Sequence, residues 1–153
     1  MNKIKLSTIT KPIFTTVLSV RIYDLNYGNH LGNDSLLSLV HEARVRFLKR
    51  MNFTELDIDG MGILITSLMA NYRAEAFYGD EIRVDIEVGE ISKTGFDLCY
   101  ELKLTGTEKE VARVLTTCTF FDYKISKIVK VPQVFIDGIR ACLKSLNDFK
   151  TSS

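Results

Sequence analysis

Little in this chain breaks up a fold or advertises an unusual one. Two prolines among 153 residues, with no low-complexity stretch, linker or internal repeat, exclude a disordered or collagen-like chain. An excess of either charge is also missing: twenty Lys and Arg stand against nineteen Asp and Glu, a formal net charge of +1. That balance supplies no field for a nucleic-acid backbone or an anionic membrane surface, so neither is an expected partner. No apolar run reaches the roughly eighteen residues of a membrane span. From Met1 to Thr10 the chain sets Lys3 and Lys5 among Ile4, Leu6 and Ile9, with no long apolar stretch behind them. A soluble protein without a signal peptide is the expectation.

The three cysteines, Cys99, Cys118 and Cys142, are odd in number, widely spaced and mostly set in apolar runs. Neither a disulfide framework nor a metal knuckle follows from that spacing; buried free thiols in a reducing cytoplasm do. With two histidines and no clustered Cys or Asp ligands, a catalytic zinc site is not expected, and no cofactor is called for. A Gly-x-Ser-x-Gly elbow and a phosphate-cradling glycine loop are absent too, which removes serine-hydrolase and nucleotide-driven mechanisms.

What is present is material for a core. Hydrophobic residues make up 46% of the chain, enough for one domain over residues 1–153. Phe14 to Ile22 is β-branched and apolar and reads as a first strand. A polar loop runs from Asp24 to Asp34. Beyond it Leu36, Leu37, Leu39, Val40, Ala43, Phe47, Leu48 and Met51 recur at three- and four-residue steps, with Arg44, Arg46, Lys49 and Arg50 between them. This spacing predicts an amphipathic helix capped by Asn33 or Asp34 and largely wrapped by other structure. Strand character returns at Gly62 to Arg73, Ile82 to Val88, Phe96 to Leu104 and Val111 to Tyr123. Short joints at Ser92 to Gly95 and Gly106 to Lys109 predict that the last three form an antiparallel meander. A short strand around Ile128 to Val131 and a helix from Pro132 to about Asn147 complete the order. One long apolar helix against one antiparallel sheet is an α+β two-layer arrangement.

The residues Asp24-Leu25-Asn26, Asn29-His30-Leu31-Gly32-Asn33 and His41-Glu42-Ala43-Arg44 resemble the loop-and-helix signature of hotdog-fold acyl-CoA thioesterases of the 4-hydroxybenzoyl-CoA thioesterase type. That family shows an Asp-x-Asp or Asp-x-Asn pair, a Gly-His-Val-Asn-Asn-like segment, and Glu-x-Ala-Arg on the helix. The resemblance extends over nearly the whole chain, because the element order is that of a hotdog, an antiparallel sheet wrapped around one long central helix. It implies an acyl-CoA substrate hydrolysed to the free acid and coenzyme A. It also implies a homodimer or homotetramer with the site at the subunit interface. In the family's best-studied branch the second acidic residue of the pair is the base or nucleophile; the matching position here is Asn26, which cannot titrate. Relatives that act on acyl carrier proteins place an Asn and a His in this loop.

Thioester hydrolysis needs a polarised carbonyl, an oxyanion stabiliser and a base that delivers water. Backbone N–H groups from Leu31 to Asp34, at a helix start, offer donors and a positive dipole end, so Leu31, Gly32 and Asn33 are the expected substrate-binding residues. His30, with an ordinary pKa of about 6.5, either activates water or donates to a loop carbonyl and shapes the turn. Asn26 either holds the thioester or its water, or only fills the loop. Asp24 is a catalytic candidate by position and, as an Asx-turn acceptor, a turn-former. Glu42 is a candidate base if poorly solvated, or the partner of Arg46 one helical turn on. Arg73, Lys93 and Lys124 are cations that coenzyme A phosphates can meet, with no role assigned to any. Two other classes stay open: a hotdog module that binds acyl thioesters without turnover, and a hotdog dehydratase of 3-hydroxyacyl thioesters.

Overall fold

The computed structural model describes residues 5–151; residues 1–4, with Lys3 and Ile4 of the stretch read for a signal peptide, and residues 152–153 lie outside the described residues. The strands are β1 (Phe14–Ser19), β2 (Gly62–Tyr72), β3 (Glu81–Ile91), β4 (Gly95–Leu104), β5 (Glu110–Asp122) and β6 (Lys127–Ile128), and the helices are α1 (Asn33–Arg50) and α2 (Gln133–Thr151). They form a 6-stranded sheet in the order β1-β3-β4-β5-β2, with β6 paired to β5. Every pairing is antiparallel, and β3-β4-β5 is the expected meander. Register explains the core. Ile86 pairs with Tyr100 and Tyr100 with Val114, so these side chains share one face, and all three are buried. The alternating residues Asp85, Glu101 and Arg113 occupy the opposite face.

Several sequence expectations change, among them the short last strand, which is Lys127–Ile128 rather than Ile128 to Val131. The first strand stops at Ser19, because the Val20 N–H turns to the Asp80 carbonyl (2.9 Å) and Ile22–Asp24 coil into a 3-10 turn. Helix α1 is capped by Gly32 rather than by Asn33 or Asp34, which are its first two helical residues. Nor is α1 wrapped all round. Leu36, Leu39, Val40, Ala43, Phe47 and Leu48 are buried, while His41, Glu42, Val45 and Arg46 face outward. The helix packs chiefly over β1 and β3. Strand β2 therefore keeps Ile65, Leu68 and Tyr72 exposed, although their register partners Cys118, Thr116 and Ala112 are buried. Helix α2 covers one end of the sheet, where the Phe135 ring lies 4.4 Å from Phe96 and 5.5 Å from Phe120.

Arg44 is the unexpected member of the core. Its charge sorts it with the polar residues of the helix, but the structure buries it, with Nε 3.2 Å from Glu55 Oε2 and Nη1 donating to the Tyr100 hydroxyl at 3.2 Å. Tyr100 and Thr116 share a further bond at 3.1 Å. Burial pushes the Tyr100 phenol up to about 12 and the Cys118 thiol up to about 11.

Candidate active site

The loop between the 3-10 turn and α1 is tied by its own backbone. Asn26 N–H donates to the His30 carbonyl (2.9 Å) and Asn29 N–H returns to the Asn26 carbonyl (3.0 Å). Closing so tight a loop needs one residue in the left-handed region, and Asn29 takes it with φ 62. Asn26 Oδ1 accepts the Gly28 N–H at 2.9 Å, an Asx-turn. A Cβ on Gly28 would sit 3.2 Å from both Asn26 Oδ1 and the His30 ring, so the loop folds Asn26 and His30 toward each other around a residue with no side chain.

His30 opens onto a cleft of about 250 Å³, with Asn33 and Leu36 beside it and Arg73, Glu75 and Ala76 on the opposite wall. The two walls are joined where the Leu31 N–H donates to the Ala76 carbonyl at 2.7 Å. The half-buried imidazole lies with Nδ1 3.3 Å from the Leu31 carbonyl and Nε2 3.8 Å from Glu75 Oε1. On the far wall Arg73 Nε is 2.8 Å from Glu110 Oε2, with 42% of its side chain exposed.

The expected oxyanion donors need correction. Gly32 N–H is bonded to the Asp24 carbonyl (2.9 Å) and Leu31 N–H to Ala76, so neither amide is free to meet a substrate. The N–H groups of Asn33 and Asp34 begin the helix and have no partner within it, as in any first turn. Of the three expected substrate-binding residues, Leu31 and Asn33 line the cleft, and Gly32 supplies the cap that aims the helix at it.

The two carboxylates lie elsewhere. Asp24 is 3% exposed and accepts the Arg21 backbone N–H at 2.8 Å and its guanidinium at 3.3 Å, so its oxygens close the 3-10 turn. Glu42 is exposed, 3.1 Å from Arg46, and lines a separate groove with Ser38 and Arg21. The adjacent His41 turns to Glu55 instead. In this chain His30 and Asn33 meet in the cleft, Asn26 stays in the loop beside His30 with its Oδ1 on the Gly28 N–H, and Asp24 and Glu42 lie outside. Sequence reading did not find Glu75. Nothing local marks it, because it meets His30 only through the pairing of the loop with the segment before β3.

One long helix packed on a six-stranded antiparallel sheet is the hotdog architecture. Residues 20–139 match the thioesterase-like superfamily, and the chain belongs to that family. Its fold is similar to that of Slr0204, a 1,4-dihydroxy-2-naphthoyl-CoA thioesterase from Synechocystis, with a TM-score of 0.76 and 20% identity over 82% of this chain and 94% of that one. It is also similar to the PA5185 protein of Pseudomonas aeruginosa, with a TM-score of 0.77 and 19% identity over 86% of this chain and 92% of the other. Such identities establish the hotdog architecture alone. No curated protein matches the sequence. Among the described residues no helix is long and apolar enough to cross a membrane.

Proposed function

We propose that the chain is an acyl-CoA thioesterase, releasing the free acid and coenzyme A at the cleft where His30 faces the start of α1. The observation that carries this reading is the convergence, at that one place, of a half-buried imidazole and the first N–H groups of an 18-residue helix. The thioester oxygen lies against the Asn33 and Asp34 amides, whose dipoles stabilise the oxyanion. With Nδ1–H donating to Leu31, the tautomer leaves the Nε2 lone pair to take a proton from water. The water oxygen bonds to the acyl carbon, the carbon–sulfur bond breaks, and the proton held on Nε2 passes to the departing thiolate. Glu75, at 3.8 Å, offsets the charge of the transient imidazolium. Asn26 orients the water and fixes the loop; Asp24 and Glu42 support the turn and the helix rather than the chemistry.

The same reading takes the protein as a homodimer or homotetramer with the acyl slot between α1 and a partner subunit. The uncovered apolar residues of β2 support this. Its three free thiols suit the cytoplasm. A thiol-release assay with short, medium, long and aromatic acyl-CoAs tests the activity. His30→Ala is expected to lower kcat on the order of 100-fold. A loss under about threefold would place the base elsewhere. An amide at the Asn26 position favours one second reading, a module that binds acyl thioesters without turnover; it predicts acyl-CoA binding with no thiol release.

A further inference from the structure

Next to the loop, an open groove of about 470 Å³ runs between the 3-10 turn and the turn that leads into β3, with Arg21, Ile22, Tyr23 and Tyr78 on its walls. Its side chains are turned out to water: Tyr23 is 86% exposed, Tyr78 65% and Ile22 60%. Phe77 and, on the loop itself, Tyr27 are exposed as well. Two bare tyrosine faces in one groove, Tyr23 and Tyr78, mark a binding surface, since covering them removes apolar area from water.

The groove is tied to the cleft by the backbone. Tyr78 lies two residues beyond Ala76, the residue that takes the Leu31 N–H, and the Gly79 N–H is held on the Val20 carbonyl at 3.0 Å. A coenzyme A thioester whose carbonyl sits at Asn33 has to lead its pantetheine arm over the rim and set down a purine and its phosphates outside. A purine stacks on any accessible aromatic face. Its phosphates call for guanidinium donors, and Arg21, paired with Asp24 on one side, keeps 65% of its side chain exposed in this groove.

We propose that Tyr23 and Tyr78 form a platform on which the adenine of a coenzyme A thioester stacks, with Arg21 meeting its phosphates. This rests on the acyl-CoA reading and refines it, because an acyl carrier protein presents its pantetheine arm without a nucleotide. Steady-state kinetics on one acyl group carried by coenzyme A and by pantetheine tests it. The wild type should show a KM on the order of tenfold lower for the coenzyme A form, and Tyr23→Ala and Tyr78→Ala should each erode that advantage with kcat within about twofold. Tyr78→Phe should retain it, since stacking needs the ring and not the hydroxyl. Equal KM values for the two carriers in the wild type, or variants that change both alike, would overturn the platform while leaving the thioesterase reading intact. A wild type that hydrolyses neither would sink the activity. Calorimetric titration with free coenzyme A and with pantetheine then decides the platform: tighter binding of coenzyme A, weakened by Tyr78→Ala, supports it, and equal binding overturns it. Alanine variants that instead lower the protein's oligomeric state would assign the patch to a second copy of the chain and overturn the platform as well.

Discussion

Arg44 shows how one side chain binds the helix to the sheet. Its guanidinium reaches Glu55 and the Tyr100 hydroxyl, and Tyr100 in turn reaches Thr116, so removing the guanidinium leaves the buried Tyr100 hydroxyl with Thr116 alone and the partly exposed Glu55 with His41. Arg44→Ala is expected to lower stability by about 2–3 kcal/mol, short of a fully buried pair because Glu55 is partly exposed. Tyr100→Phe should cost about 1 kcal/mol, and urea unfolding at neutral pH reads both. The order of the two is the sharper check; a larger loss for Tyr100→Phe would mean that the hydroxyl, not the guanidinium, anchors the network. Burial also sets an alkaline limit. Cys118 rises from 9.0 to about 11 and Tyr100 from 10.0 to about 12, so the folded chain keeps protons that the unfolded chain has lost. Their contribution is constant below pH 9, and stability declines as pH climbs from 9 to about 12, which denaturant midpoints across that range measure. In the loop, Asn26→Asp keeps an acceptor for the Gly28 N–H and adds an ionisable group beside His30. Thiol-release assays should show faster turnover; a dead variant would mean that the amide donates.

Two glycines separate tolerable from intolerable crowding between elements. A Cβ on Gly95, where β4 begins, would meet the Cys118 carbonyl oxygen at 2.3 Å, and backbone in the middle of a paired sheet cannot step aside. Gly95→Ala should therefore cost on the order of 2–3 kcal/mol by pushing β4 from β5. A Cβ on Gly62 would meet the Tyr123 ring at the same 2.3 Å, but that side chain is 49% exposed and held on one side by an edge contact with Phe121, so it can give way where backbone cannot. Gly62→Ala should stay within about 0.5 kcal/mol of the wild type by thermal unfolding, and an equal loss at both positions would refute the distinction.

Across the whole molecule the conspicuous feature is an edge left open. Strand β2 has 11 residues and, among the described residues, pairs only with β5; Tyr72 lines the cleft, and Ile65, Leu68 and Tyr72 are all exposed. Long exposed edges with apolar side chains invite pairing with another chain. Sedimentation of the intact protein is expected to show a dimer or tetramer, and Leu68→Asp to shift it toward monomer with a loss of turnover of at least tenfold. A fully active monomer at micromolar concentration would disprove the shared site.

Much of this was legible beforehand, for reasons that differ by residue. Alternation at Ile82, Val84 and Ile86 and three-and-four spacing at Leu36, Leu39 and Ala43 are local, so they announced strand and helix and, with the Asn29-His30 loop, the hotdog order. Arg44 stands four residues from both Val40 and Leu48, on the apolar face, yet its charge sorts it with the polar residues, because a pattern of residue types does not reveal whether a partner waits inside. Leu31 and Gly32 looked like free donors because a sequence does not reveal where each N–H is spent. The amino-acid order by itself determined the elements, their succession and the loop that enters the helix. Only tertiary structure decided that Glu75 faces His30, that Asp24 and Glu42 lie outside the cleft, and that β2 is left bare. These depend on contacts between segments distant along the chain, whose pairing is settled by packing rather than by any local pattern.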